Sequence, residues 1–344
     1  MKMKKLLYLL LGVVGGLFTS CSNQDWEFPD YEYSTVYFAY QSPVRTICLG
    51  EDASFDTSID NMHQCQIMAT MGGVYENNKN INISFRVDNS MCNGLMFEDS
   101  KKPLLPLPAT HYTLSSNDNM TIAKGKVIGG VTVQLTDAFF ADPLALENNY
   151  VIPVVLTNVQ GADSILQGKP LVDNPRRGFK ADWDVQPKDY IFYAVKYINK
   201  YDAAYLRRGV DTFSGNKTGV VTRRNKYVEK DEVVTDMKTT GLNQLTWDFP
   251  AKDASGSLVE CKLILNFNEN GECTITSATE NVTASGSGKF VTLGEKNSWG
   301  QKDRDALYLD YQINYSGIQC STKDTLVVRD RQMKSEHFNI VEKE

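Results

Sequence analysis

Read for the alternation of apolar and polar positions, the first half of the chain is a run of short strands. Ser34-Thr-Val-Tyr-Phe-Ala-Tyr40, His63-Gln-Cys-Gln-Ile-Met-Ala69 and Ile81-Asn-Ile-Ser-Phe-Arg-Val87 place apolar side chains at every second position, the period of a strand with one buried face. Val44–Leu49, Tyr112–Leu114, Met120–Ile122, Val131–Leu135 and Tyr150–Leu156 extend the series, and Gly72-Gly73, Asn89, Pro106-Leu-Pro108 and Gly129-Gly130 punctuate it. Short alternating strands between turn signals predict an immunoglobulin-like β-sandwich over residues 34–172. Asp137-Ala-Phe-Phe-Ala-Asp142 predicts one helical turn capped by Asp137.

Residues 173–188 carry Gly, Pro, Asp and Arg with little periodicity and read as a linker. A second domain, 189–344, is expected to open with a long strand over Asp189–Ile198, followed by a short helix over Lys200–Arg207 that ends at Gly209. Further strands fit 217–223, 226–236, 243–249, 257–267, 271–278, 280–291, 305–315 and 324–332. Asn268-Glu-Asn-Gly271 is a hairpin turn. The whole chain is all-β. Consecutive antiparallel strands in the second domain predict a lipocalin-like barrel, with a second sandwich as the alternative.

The N-terminus gives location rather than chemistry. Lys2, Lys4 and Lys5 precede the apolar run Leu6–Leu17, and Phe18-Thr-Ser-Cys21 follows. This order makes residues 1–21 a secretory signal peptide, too short and Gly-rich for a membrane span. It resembles a bacterial lipoprotein signal, with Phe18 in place of the usual aliphatic residue. The resemblance implies that Cys21 carries acyl chains, since two or more are needed for stable anchoring. Residues 22–33 then read as a tether. Asp25 and Glu27 resemble the acidic surface-export signal of Bacteroidota lipoproteins. The expected location is the outer membrane, lipid-anchored and facing the cell surface.

Composition removes several classes. The formal net charge is −6, and Arg207-Arg208 and Arg223-Arg224 are isolated pairs, so no nucleic-acid partner is expected. Six cysteines remain beyond Cys21, none in a Cys-x-x-Cys pair, and they read as buried small hydrophobes rather than zinc ligands. The histidines, His63, His111 and His337, are far apart and read as structural. No Gly-x-Ser-x-Gly is present for a serine hydrolase. Asp88-Asn-Ser and Asp118-Asn lack calcium-loop spacing. No catalytic residue, metal site or cofactor is expected. A glycosidase would need two carboxylates across a sugar, and Asp303, Asp305 and Asp310 cluster in sequence. On the Asp305–Asn314 strand, Tyr308, Asp310, Gln312 and Asn314 share one face. That face is either the solvated outside of an apolar core or a polar-aromatic wall that binds a sugar. Trp299 stands in a polar loop, and with Asn297, Arg304 and Asp305 it forms the candidate glycan-binding site, an indole to stack on and polar groups for hydroxyls. Trp183 and Trp247 read as packing residues.

Several runs resemble a known family: Thr35–Thr46, Gly72-Gly-Val-Tyr-Glu-Asn77, Leu135–Pro143, Pro187-Lys-Asp-Tyr190, Tyr205-Leu-Arg-Arg-Gly209 and Asn297-Ser-Trp-Gly300. They are similar to two-domain lipoproteins of gut Bacteroidota, in which an N-terminal β-sandwich domain of unknown function precedes a second uncharacterised β domain. Relatives of the first domain accompany family 18 glycoside hydrolases and glycan-capture proteins. The resemblance implies a non-catalytic surface lipoprotein that binds or presents glycans for a polysaccharide utilisation system. A scaffold that contacts an outer-membrane transporter or partner lipoprotein is the alternative, and a glycoside hydrolase the weakest one.

Overall fold

The computed structural model describes residues 33–52 and 54–343. Cys21 and residues 22–32 of the expected tether lie outside them. The first sheet contains twelve strands. Its central path runs Gln64–Gly72, Ile128–Leu135, Asn119–Ile122, Ile81–Val87, Tyr150–Gln160, Tyr190–Ile198 and Pro43–Cys48. The alternation read from the sequence is the alternation of burial: residues 81, 83 and 85 and residues 129, 131, 133 and 135 are buried while their neighbours are not. Apart from Gly129, these residues meet in a core with Phe38, Ile67 and Phe139, and the sheet folds over it as a sandwich. The helical turn Asp137–Ala141 is present, with Thr136 rather than Asp137 at the capping position.

Tyr190–Ile198, expected to open the second domain, is a central strand of this first sheet. It runs antiparallel to Tyr150–Gln160 and parallel to Pro43–Cys48. Its residues explain why. A strand apolar on both faces needs a packed layer on each side. Ile191, Tyr193, Val195 and Tyr197 enter the main core, while Tyr190, Phe192 and Ala194 enter a second cluster with Phe97 and Phe338. The expected linker also packs here. Lys169–Pro170 pairs with Trp183–Val185, Phe179 joins the second cluster, and Arg177 pairs with the fully buried Asp189 at 2.6 Å. The chain instead crosses between sheets at residues 199–203.

The second sheet has ten strands, in the order Gly219–Arg223, Ala204–Gly215, Ile318–Asp330, Arg304–Tyr315, Thr283–Glu295, Glu272–Ser277, Lys262–Phe267, Gln244–Asp248 and Met237–Gly241, with Glu232–Val234 beside Ala204–Gly215. The helix expected at 200–207 is absent: residues 200–203 turn between the sheets and Ala204 begins a strand. Ala203, Ala204 and Leu206 favour helix locally, but ladders to Ile318–Asp330 on one side and Glu232–Val234 on the other satisfy this backbone and bury Tyr205. Pairing and burial override local propensity. The hairpin at Asn268–Gly271 forms as expected, with the Asn268 carboxamide oxygen accepting from the backbone N–H groups of Asn270 and Glu272.

The expected closed barrel is corrected to an open, sandwich-like sheet. Gly219–Arg223 and Met237–Gly241 end the path and no ladder joins them. The cause is that the outer edge of Ala204–Gly215 is already used. Gly219–Arg223 takes its second half and Glu232–Val234 its first, which leaves no partner for Met237–Gly241. Trp247, Tyr205, Leu265 and Ile313 fill the core. On the Ala204–Gly215 side the interior is ionic. Asp324 accepts from Arg207 at 2.9 Å, Arg223 at 2.7 Å and the Tyr311 hydroxyl at 2.8 Å, and the Arg207 guanidinium lies 5.0 Å from the Trp247 and Phe249 rings. Gly286 and Gly288 face inward, where a Cβ would stand 2.4 Å from Tyr311 Cβ and Leu309 Cδ2 respectively.

Two devices join the sheets. The buried Asn199 side chain donates to the carbonyls of Gly241 and Gln244 at 2.8 and 2.9 Å. Arg331, 4% exposed, donates to the carbonyls of Leu49, Asn199 and Asp202. The chain then returns to the first domain, where Glu336–His337 pairs with Pro43–Cys48 and Ile340–Glu342 with Leu95–Phe97. All six cysteines among the described residues are buried and unbridged.

Candidate functional site

The outer face of the second sheet carries an open groove of about 770 Å³, within the range of small-ligand sites. Strand register explains its shape. Outward side chains of neighbouring strands line up in rows across the sheet. One row is Asn266, Thr274, Ser287, Asp310 and Lys323. The next contains Glu272, Lys289 and Tyr308. Between them lies the row Cys273, Gly288 and Leu309, in which Cys273 and Leu309 belong to the core and Gly288 carries no side chain, which leaves a floor lower than the rows on either side. The groove is therefore a trough across five strands, about 19 Å at the usual strand spacing.

The trough offers chemistry for a hydroxylated ligand. Among the described residues the Thr274 and Ser287 hydroxyls have no protein hydrogen-bond partner, whereas Asp310 holds Lys323 at 3.0 Å and Gln244 donates to Asn266 at 2.7 Å. Tyr308 is the aromatic wall. Its hydroxyl donates to Glu295 at 2.8 Å. Burial and then this carboxylate push the phenol up to about 12, so it stays neutral and oriented at physiological pH. The face Tyr308, Asp310, Gln312 and Asn314 was legible from the sequence as one of two readings. Its partners on neighbouring strands were not. The signal that could have found them is Thr283-Ala-Ser-Gly-Ser-Gly-Lys289, polar at every second place and Ala or Gly between.

The Trp299 loop is a different place. Trp299 is half-buried on the turn Trp299–Gln301, and Asn297 is exposed. Arg304 donates through Nε to the Trp299 carbonyl at 2.9 Å. Asp305 accepts from the Leu293 backbone at 2.8 Å, and Asp303 from the Asn297 backbone at 3.0 Å. The structure thus brings the four expected residues close, but largely by contacts that build the loop. Arg304 and Asp305 border a recess of about 130 Å³ that neither Trp299 nor Asn297 lines, below the size of a ligand pocket. Trp247 is fully buried in the second core, and Trp183 is buried with its indole N–H on the Arg176 carbonyl at 3.1 Å.

The histidines stay apart. His63 packs on Phe140 with centroids 4.2 Å apart and His337 on Tyr40 at 4.5 Å. His111 lies 3.0 Å from Asp142, which also accepts from Tyr150 at 2.7 Å. Among the described residues no group of three or more His, Cys, Asp or Glu could hold a metal ion, and no helix is long and apolar enough to cross a membrane.

Fold and site define a two-domain, all-β protein with a polar trough on its second domain. A family model for a domain of unknown function, DUF5627, matches residues 200–332, and a model described only as an N-terminal domain matches residues 31–163. A Bacteroides ovatus protein of unknown function, known from its crystal structure, is 47% identical over 91% of this chain and 100% of its own, with a TM-score of 0.84. The chain belongs to that protein's family, in keeping with the resemblance to Bacteroidota proteins with paired uncharacterised β domains. A second B. ovatus chain, provisionally described as a carbohydrate binding protein, is 12% identical over 90% of this chain and 97% of its own, with a TM-score of 0.26, too distant to carry an argument. No functionally curated protein matches. Neither the family models nor the 47% identical relative indicates an enzyme family.

Proposed function

We propose that this protein is a non-catalytic surface lipoprotein that captures glycans in the trough of its second domain, serving a polysaccharide utilisation system. The trough carries the reading: an open groove, an aromatic side wall at Tyr308, and the unpartnered Thr274 and Ser287 hydroxyls in register across it. Sugar hydroxyls both donate and accept, as do Ser, Thr, Asn and Gln side chains, and an aromatic face takes the C–H side of a sugar ring. The Lys-rich, apolar, Thr-Ser-Cys order supports attachment to the outer membrane through Cys21. The test is a glycan-array screen of the purified protein with Tyr308→Ala and Asp310→Ala beside it. Retention that both variants lose supports the trough; retention that both keep removes it.

One observation favours the scaffold reading as a second possibility. Gly219–Arg223 is an edge strand with Val220 and Val221 64% and 47% exposed. An uncovered apolar edge suits strand addition by a partner such as an outer-membrane transporter. Cross-linking from position 220 in intact cells would capture such a partner, and a clean result would dismiss this reading.

A further inference from the structure

The outer face does not end at the trough. Beyond the Ser287–Asp310–Lys323 row, the three strands that carry it, together with Ala204–Gly215 beside them, bear two more rows: Ser285, Gln312, Ser321 and Thr212, then Thr283, Asn314, Gln319 and Ser214. A second groove of about 450 Å³ opens at the far row, walled by Thr283, Asn314, Gln319 and Ser214. All eight residues are hydroxyls or amides, and seven are exposed, with Gln312 half-exposed. Solvated surfaces are normally about a quarter to a third charged, so eight adjacent positions would ordinarily include two or three Lys, Arg, Asp or Glu. None is present.

That absence selects a ligand class. An anionic polymer or nucleic acid needs cations to replace its counterions, and a protein partner needs an apolar centre. Bifunctional hydroxyls and amides in these two rows, beside a trough whose charges are paired, Lys323 with Asp310 at 3.0 Å and Lys289 with Glu272 at 3.8 Å, suit a ligand that is neutral and hydroxylated along its length. The Ser285, Ser321 and Thr212 hydroxyls have no protein partner among the described residues, whereas Asn314 donates to Thr283 at 3.0 Å and Ser214 to Gln319 at 3.2 Å, which fixes the far row. From the Tyr308 row to the Asn314 row is six residues, about 20 Å along the strands. Resting on the trough reading above, we infer that trough and far groove are two ends of one platform, and that its ligand is a neutral polysaccharide chain lying along the strands rather than a short or charged sugar.

The test is affinity electrophoresis of the full protein in gels containing galactomannan, xyloglucan, mixed-linkage glucan or starch, with polygalacturonate as the anionic comparison. At least one neutral polymer should retard the protein, with little change as salt rises from about 0.05 to 0.5 M. Gln312→Arg in the middle row and the double variant Asn314→Ala/Gln319→Ala in the far row should each weaken retardation about tenfold, with melting temperatures unchanged. If Tyr308→Ala abolishes retardation while both of these bind as wild type does, the trough reading stands and the extended platform falls. Retardation by polygalacturonate instead of the neutral gels would overturn the ligand class alone. No retardation in any gel would overturn both.

Discussion

Arg331 is the residue whose loss should most disturb the joint between the domains. It follows the last long strand of the second sheet, and its guanidinium reaches three carbonyls: Leu49 at 2.9 Å in the first domain, Asp202 at 2.6 Å and Asn199 at the crossover. Its backbone N–H also donates to Asp52 at 3.2 Å. The side chain is almost fully buried, so water cannot replace these bonds without opening the joint. A hydrogen bond to a charged donor contributes about 1.5–3 kcal/mol, less when several share one group. Arg331→Met keeps much of the stem's packing and removes all three donors, which should cost about 3–5 kcal/mol. Against a total of roughly 5–15 kcal/mol, that is a large share. Urea unfolding followed by circular dichroism should show a lower midpoint. Hydrogen exchange should show the Ala204–Gly215 and Tyr150–Gln160 strands opening separately in the variant and together in the wild type. A midpoint within about 0.5 kcal/mol of wild type, with the two strands still exchanging together, would refute the claim that this side chain couples the domains.

Four further outcomes follow from the same structure. Gly286→Ala should destabilise by about 2–4 kcal/mol in chemical denaturation, because its Cβ would meet Tyr311 Cβ at 2.4 Å and the Asp310 carbonyl at 2.5 Å, an overpacking cost with backbone on one side; a neutral effect would mean the strands separate easily there. Burial works to raise Asp142, but hydrogen bonds from Tyr150, the Leu144 backbone and His111 outweigh it and hold the carboxyl below its usual range. A depressed carboxylate stabilises above its unfolded pKa and loses that contribution as pH falls through the folded value. The stability gap between wild type and Asp142→Asn should therefore shrink below about pH 4, and a gap that stays constant in melts down to about pH 2.5 would contradict the assignment. Trp299→Ala should leave glycan retention intact, since the trough lies elsewhere; lost retention in a folded variant would move the site to the loop. Cys21→Ala should abolish lipid labelling and membrane partition in cells, and unchanged partition would end the anchor proposal.

Much of the fold was legible because strands with one wet face declare themselves by alternation, as Ile81–Val87 and Asp305–Asn314 do. What escaped was non-local. Tyr190–Ile198 reads as a strand in any context, but its sheet is decided by two distant neighbours, Tyr150–Gln160 and Pro43–Cys48. Lys200–Arg207 contains helix formers, yet its first half turns between the sheets and only ladder partners make Ala204–Arg207 a strand. Closure of the second sheet depends on which segment occupies one edge of Ala204–Gly215, a contest that local sequence does not report. The site followed the same logic. One wall, Tyr308 to Asn314, could be read from a single strand, while Thr274, Ser287 and Lys323 join it only through register. Trp299 drew attention because exposed indoles often bind sugars, yet here the neighbouring Arg304, Asp305 and Asp303 are engaged in shaping the loop.

Isothermal titration calorimetry of wild type and Tyr308→Ala, against whichever neutral polysaccharide retards the wild type, tests the central claim most directly. Loss of an aromatic platform removes on the order of 1–1.5 kcal/mol, so the variant should bind about ten-fold more weakly, with an unchanged melting temperature. Equal affinity in wild type and variant would contradict glycan capture by the trough.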